Sequence, residues 1–461
     1  MRAVTALRWL QPTHPHRQTE MNRKQLLVIV GLVLAGNSLA QAEDWPQWMG
    51  PHRDGVYHES GIVERIPDAG LPVKWRVPIA GGYAGPAVAE GRVFVTDFVT
   101  NSGTSTNNPG GRDKMTGVER VLCFDADNGK ELWRVEDARE YNLSYASGPR
   151  ATPTVDGELV YVLGAEGDLQ CLRVASGELV WKKQLSQEFD AQTPIWGHAA
   201  HPLVHGDLLY CLAGGPGSVA VALDKLTGEV RWQALTASEI GYCPPTIHKL
   251  GGHEALLIWH ADALNSLDPQ TGKLNWTYPI QPRYAMAIAA PQLSGNHLFV
   301  SGIGETAVML EIKPDGTPGE ALWTGKPKIG VYSGNATALF DGKNIYGADC
   351  GSGAYIAVDA ATGQRHWETF ELTTGGERRA SHGTAFTIKH EDKYILFTET
   401  GDLVFAHFSE AGFEELGRMH LLEPTSEAMG RAVVWSHPAM ANRCLFARND
   451  KELVCVNLAA N

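Results

Sequence analysis

From about residue 71 to the end, short runs of alternating apolar and polar side chains are separated by glycine turns. Alternation with a period of two predicts β-strands, whereas helical repeats would show apolar spacing near 3.6. The strands come in hairpins. Thr152–Tyr161 and Ala338–Tyr346 each fold about an Asp-Gly pair. A second type of hairpin recurs as Phe124–Trp133, Leu223–Trp232, Leu267–Trp276 and Val358–Trp367, with a weaker copy at Val174–Trp181 and degenerate ones ending at Trp323 and Leu416. In this type an Asp is placed to bind the turn backbone and a Gly to supply positive φ. The Trp is expected to close the hairpin.

The anchors fall at 75, 133, 181, 232, 276, 323, 367 and 416, so the period is mostly in the forties. Strand-only punctuation at that period indicates a β-propeller. The expected fold is all-β, an eight-bladed β-propeller with four-stranded antiparallel blades, strands A to D. The last C strand, Leu453–Leu458, has no D strand after it, and Val73–Val77 around Trp75 has no blade before it. These two are expected to pair, so that the N-terminal strand completes the last blade and no sheet edge is left open.

The Asp-x-x-Thr-Gly-x-x-x-Trp turns resemble those of PQQ-binding-like β-propeller repeat proteins, in the quinoprotein alcohol dehydrogenase superfamily. The resemblance covers about residues 71–461. It implies the fold but does not by itself imply the quinone, because many members of that superfamily bind none.

The N-terminus reads differently. A basic start at Met21-Asn22-Arg23-Lys24, an apolar run Leu26–Leu34 and the small-x-small triplet Ala40-Gln41-Ala42 form the pattern of a Sec signal peptide. Met21 is the expected start and Ala42 the expected end of the leader. The run is too short for a membrane span, and no Cys follows it to carry a lipid. The expected division is 1–42 leader with upstream extension, 43–70 N-terminal arm, and 71–461 propeller. The expected location is periplasmic or secreted. The arm contains Asp44–Pro51 with two Trp, expected to pack on the ring. Charge adds one exclusion: 39 Lys and Arg against 52 Asp and Glu, without a basic block, disfavour nucleic-acid binding.

Chemistry is expected on the face that carries the long B–C and D–A connections, at about 97–118, 135–149, 184–199 and 368–382. Aligning the A strands brings Tyr83, Arg150, His201, Tyr242, Asn335, Trp435 and His437 to one channel mouth, with Tyr284 and His382 nearby and His198 and Tyr332 beside them. Aromatic rings there could stack on a flat ligand and Arg150 could hold a carboxylate. His260 and Asp262, at a B–C turn, are a further candidate acid/base pair.

The resemblance implies, for a dehydrogenase, PQQ with Ca²⁺, an Asp base and a lid of adjacent cysteines. No adjacent cysteine pair is present, no Ca²⁺ set or base follows from a motif, and no catalytic or metal residue is assigned. The seven cysteines (Cys123, Cys171, Cys211, Cys243, Cys350, Cys444 and Cys455) are expected to be reduced and buried. If the turn at Asn449-Asp450 is a two-residue hairpin, Cys444 and Cys455 face each other across it.

The reading that follows is an exported, monomeric module that binds an unknown small molecule or exported protein. The alternatives are a PQQ-dependent alcohol or sugar dehydrogenase and an outer-membrane protein assembly scaffold.

Overall fold

A computed structural model describes residues 42–376 and 378–460. The expected leader up to Gln41 lies outside the described residues. Eight four-stranded antiparallel sheets, the blades of the propeller, hold nearly all of the regular structure. Helix among the described residues is confined to one turn at Leu185–Glu188 and a 3-10 turn at Arg283–Ala285. No helix among them is long and apolar enough to cross a membrane.

Blade 1 consists of Ala87–Ala89, Arg92–Ser102, Asp113–Asp125 and Glu131–Leu143, paired in that order. The next six blades repeat this meander. Blade 8 takes Ala439–Ala441, Cys444–Arg448 and Glu452–Asn457 from the C-terminal end and Val73–Pro78 from the N-terminal end. Trp75 lies opposite Cys455 and Val77 opposite Leu453. The inner strands of blades 1 and 8 touch.

Three local expectations change. The first B–C connection is not a loop over 97–118: the strands run on to Ser102 and resume at Asp113. A small extra hairpin, Ser426–Ala428 with Arg431–Val433, lies between blades 7 and 8. The turn in blade 8 spans four residues, because Arg448 pairs with Leu453, so Cys444 faces Asn457 and Cys455 faces Phe446. All seven cysteines are buried and free.

The apolar core lies in slabs between adjacent blades. Tyr210 and Ala222 of blade 3, for example, pack with Leu256 and Ile258 of blade 4. The tryptophans show what holds these slabs in register. They do not close their own hairpins, as the sequence suggested. Each indole N–H instead donates to a carbonyl in the C–D turn of the next blade. The pairs are Trp75 to Ala126, Trp133 to Val174, Trp181 to Lys225, Trp232 to Pro269, Trp276 to Gly316, Trp323 to Ala360 and Trp367 to Ser409, all at 2.7–3.0 Å.

The turn is shaped to receive the ring. Asp224 Oδ1 accepts from the N–H groups of Leu226 and Thr227, both at 2.9 Å. Gly228 then takes φ +73°, where a Cβ would stand 2.8 Å from Trp181. The glycine is required twice, by conformation and by the close approach of the indole.

The interface between blades 7 and 8 has no such latch, and Leu416 stands where the Trp would be. The reason is topological: the C and D strands of blade 8 come from opposite ends of the chain, so no turn joins them. The arm fills the place. Ile66 N–H donates to the Leu416 carbonyl at 3.2 Å, and Arg76 to the Leu421 carbonyl at 2.9 Å.

Upstream, the arm crosses the end of the ring that carries the A–B turns. Trp45 exchanges two backbone hydrogen bonds with Val88 of blade 1, and Val155 N–H of blade 2 donates to Pro46. Arg53 is buried and donates to the carbonyls of His201 and Pro202 ahead of blade 3 and of Pro245 ahead of blade 4. Tyr57 and Gly55 pair with Lys389 of blade 7, and Tyr57 and Glu59 meet the Arg443 amide of blade 8.

Gly228→Ala and Gly206→Ala separate the two demands on the turn glycine. Both sites have positive φ, but a Cβ at Gly206 meets nothing within 4 Å. Gly206→Ala is expected to cost about 1–2 kcal/mol from conformation alone. Gly228→Ala should cost about 1–3 kcal/mol more from crowding the indole. Calorimetric Tm values at one scan rate check the order; equal losses would refute the latch.

Candidate functional site

The segment entering strand A of each blade runs toward the axis, and the blades repeat. Residues just ahead of the A strands therefore come together. Tyr83, Arg150, His201, Tyr242, Tyr284, Asn335, His382, Trp435 and His437 all line a single cavity of about 660 Å³. His198 and Tyr332 do not line it. His198 Nε2 meets Ser186 Oγ at 3.2 Å, and the Tyr332 hydroxyl donates to the carbonyls of Lys326 and Ile329.

The floor comes from the arm. Trp48 stacks on His201, with centroids 5.0 Å apart and planes 10° apart. Its indole N–H donates to His437 Nε2 at 3.1 Å. His201 Nδ1 accepts the Thr152 amide N–H at 2.8 Å. These bonds fix the tautomers: neutral His437 carries its proton on Nδ1 and neutral His201 on Nε2. Burial holds His437 down to about 3. Burial, then the neighbouring His437 and Arg53, hold His201 well below the usual imidazole range. Both rings are neutral near pH 7.

The walls are aromatic. Trp196 meets Tyr242 at 5.5 Å and 63°, and Trp435 meets Tyr145 at 6.1 Å and 46°. Above them, Pro109 and Gly110 from the tip of the first B–C loop line the opening, as does Met429 from the extra hairpin. The loop is tied down by Ser144 Oγ donating to the Asn108 carbonyl at 2.7 Å and by Arg112 donating to the carbonyls of Asn142 and Thr193. The hairpin is fastened by Arg431, which binds the buried Glu399 through Nε and Nη2 at 2.8 and 2.9 Å. The Trp435 indole N–H points to the same carboxylate at 3.4 Å.

Trp48, Tyr145, Trp196 and Met429 were missed as site residues. Tyr145 and Trp196 lie in D–A connections whose length and aromatic content already marked them. Trp48 had no such signal, because its position depends on how the arm crosses the ring. Four lining residues that are not glycine hold positive φ: Tyr145 at 51°, Tyr284 at 61°, His382 at 58° and Met429 at 51°. Each such conformation costs about 1–3 kcal/mol, and such strain clusters where a site needs a particular side-chain placement. Tyr284 is 65% exposed at the rim, so packing does not account for its strain.

Two expected chemistries fail on geometry. Arg150 spends both Nη groups on the carbonyls of Ser144, Tyr145 and Gly148 and lies over the Tyr83 ring. It is not poised for a bidentate grip on a carboxylate. Asp262 accepts from the Ser238 N–H and Oγ, while His260 Nδ1 accepts only the Asp262 backbone N–H. These two do not form an acid/base pair. Cys350 Sγ lies 3.3 Å from His382 Nδ1. Burial pushes the thiol up to about 12 and the imidazole below its usual range, so the pair is neutral rather than a thiolate nucleophile.

The same lining also bears on the quinone that the resemblance implies. PQQ with Ca²⁺ needs clustered oxygen ligands for the ion and cations for the carboxylates. No Asp or Glu lines the cavity, and the guanidinium that does is committed to backbone carbonyls. No group of three or more His, Cys, Asp or Glu among the described residues is placed to share a cation. The donor set does not fit PQQ with Ca²⁺.

Comparison with known proteins agrees with the architecture. The profile of the PQQ_2 repeat family, described as outer membrane protein assembly factor BamB, matches residues 117–369. The chain belongs to this family. Within it, the BamB of Bordetella pertussis is 21% identical over 282 residues, 60% of this chain and 67% of that protein. The BamB of Shewanella oneidensis is 23% identical over 240 residues, 49% of this chain and 60% of that protein. The crystal structure of BamB from Moraxella catarrhalis superposes with a TM-score of 0.54 at 14% identity, covering 84% of this chain and 97% of that one. Quinohemoprotein alcohol dehydrogenase from Comamonas testosteroni superposes with a TM-score of 0.59 at 14% identity, covering 91% and 81%. At such identity these structures share the fold of this PQQ_2-family propeller and nothing finer.

Two outcomes follow for the cavity. His198, held by burial at about 4, joins His201 and His437 in taking up protons more readily when unfolded. Their ordinary value is near 6.5, so the unfolded chain binds more protons below that pH, and stability falls as pH drops from about 6.5 toward 3. His437→Gln, which can still accept the Trp48 N–H, should flatten the fall in Tm between pH 6.5 and 4; an unchanged slope would contradict the assignment. Tyr284→Gly relieves positive φ at an exposed site and should keep or raise Tm; a clear loss would show that the tyrosine is structural.

Proposed function

We propose that this chain is a ligand-binding module of its propeller family, acting in an exported compartment, with the axial cavity as its binding site. The observation that supports this most directly is the convergence of aromatic residues from many blades on a single cavity, with Tyr145 and Tyr284 among them held in strained backbone. The arm closes its floor and two ordered segments border its opening. Core packing alone would not require positive φ at Tyr145, Tyr284 and His382, whereas Met429 takes it together with Gly430 in the two-residue turn of its hairpin. The leader-like N-terminus and the outer-membrane role in the relatives' names support export.

The dehydrogenase reading loses its footing with the misfit of PQQ and Ca²⁺. A second reading comes from the relatives' name, assembly factor: the long-loop face could dock an exported protein. A protein docked there would be insensitive to side chains deep in the cavity.

A thermal-shift screen decides between these. The mature chain is tested against a library of neutral, anionic and cationic metabolites, beside Trp435→Ala. At a hundred times Kd a ligand stabilises by about 2.7 kcal/mol. The expected result is at least one compound that raises Tm for the wild type but not for Trp435→Ala. The proposal fails if no compound stabilises, or if all that do act equally on the variant. Dye reduction with PQQ, Ca²⁺ and an alcohol would restore the dehydrogenase.

A further inference from the structure

The lining carries information about charge that the fold does not. We infer, resting on the binding-module reading above, that the cavity takes an uncharged, hydroxyl-rich ligand of about sugar size, a neutral mono- to trisaccharide.

Cations are disfavoured first. A cation would enter beside the half-buried Arg150, with no carboxylate in the lining to balance it. Anions are disfavoured for a different reason. Arg150 turns its Nη groups to carbonyls, and so does Arg53 beneath the floor, whose Nε donates to Gln47. Neither guanidinium presents the paired donors that a carboxylate or phosphate needs to offset its loss of water. The histidines of the floor are neutral.

What remains is neutral and two-sided. His201 Nε2–H and His437 Nδ1–H have no protein acceptor among the described residues, and each is fixed as a donor by the bond on its other nitrogen. The Tyr242 hydroxyl is buried without a partner. Thr337 Oγ1 accepts from the Ala290 amide, which leaves its own O–H to donate. A ligand hydroxyl both donates and accepts, so it suits such a mixed set. Unpaired buried polar groups also reject a ligand that lacks hydroxyls.

The rings give the shape. Neighbouring planes are tilted by 46° to 63°. No pair of these neighbours is parallel, so they present separate small faces and not one broad flat platform. Each can cap the C–H face of a separate small ring instead. A volume of about 660 Å³ leaves room for more than one such unit.

The test uses the mature chain, isothermal titration and tryptophan fluorescence. The probes are maltotriose, cellotriose and tri-N-acetylchitotriose. Glucuronic acid, glucosamine, methyl glucoside and PQQ with CaCl₂ serve as comparisons. At least one neutral saccharide should bind. Tyr284→Gly, a rim change that is not expected to unfold the chain, should weaken it fivefold or more, and Trp435→Ala tenfold or more. Methyl glucoside should bind at least tenfold more tightly than glucuronic acid or glucosamine. If a charged sugar or PQQ binds best and still depends on Trp435, the ligand class is wrong and the cavity remains a binding site. If no probe binds while the library screen finds a Trp435-dependent ligand of another kind, the ligand class is again wrong. If neither finds Trp435-dependent binding, the module itself is refuted.

Discussion

The structure depends on one repeated contact, the indole N–H of one blade donating into the C–D turn of the next. A single blade is a four-stranded sheet with two faces to cover and cannot stand alone in water. Stacking covers the faces, but apolar contact does not fix how far one sheet slides over another. A directional hydrogen bond from a large ring into a turn does, and in five of the seven turns the ring lies where only glycine leaves room. It sets the spacing and angle of each blade to the next, and a ring closes only if those small rotations add up. The same Asp, Gly and Trp therefore serve local turn formation and long-range assembly together, which explains why the motif is so legible.

The latch also explains why the arm exists in this form. Closing the ring with the N-terminal strand leaves blade 8 without a C–D turn, so one interface lacks its receptor. The chain compensates by running residues 62–71 along Leu416 and Met419 and the rest of the arm across the axis. That crossing brings Trp48 into the cavity lining, against His201 and His437. The floor of the site is thus a consequence of how the circle is fastened.

How much was readable follows from this. The blade count, the strand order and the pairing of Val73–Pro78 with the C-terminal strand are set by local turn chemistry and by an unpaired strand at each end, and both are visible in one sequence. Seven of the nine candidate residues reached the cavity because the repeat register carries them to equivalent places, while of the four named only as near neighbours Tyr284 and His382 line it and His198 and Tyr332 do not. The destination of the Trp side chains was misread, because a residue's own hairpin is its nearest partner in sequence while its real partner lies a blade away. Trp48 and the commitments of Arg150 were not legible at all: which carbonyls a guanidinium finds depends on loop paths that no motif encodes. The exact reach of blade 1 into the first B–C connection was also hidden, since its Asn, Gly and Ser content suggested loop.

Arg150 and Arg53 show why charge placement and charge availability must be kept apart. A cavity with an arginine in its wall and another under its floor looks, from composition, like an anion site. Yet a guanidinium has a fixed number of donors in a plane, and here the carbonyls of Ser144, Tyr145, Pro202 and Pro245 have taken the ones that matter. Those carbonyls sit in segments leading to the A strands, where the turning backbone cannot complete a ladder and would otherwise be left unpaired in the interior. The arginines therefore answer a demand of the fold. What they leave at the site is a diffuse positive potential without directional donors, which disfavours a cation but does not offer an anion the paired donors it needs to leave water.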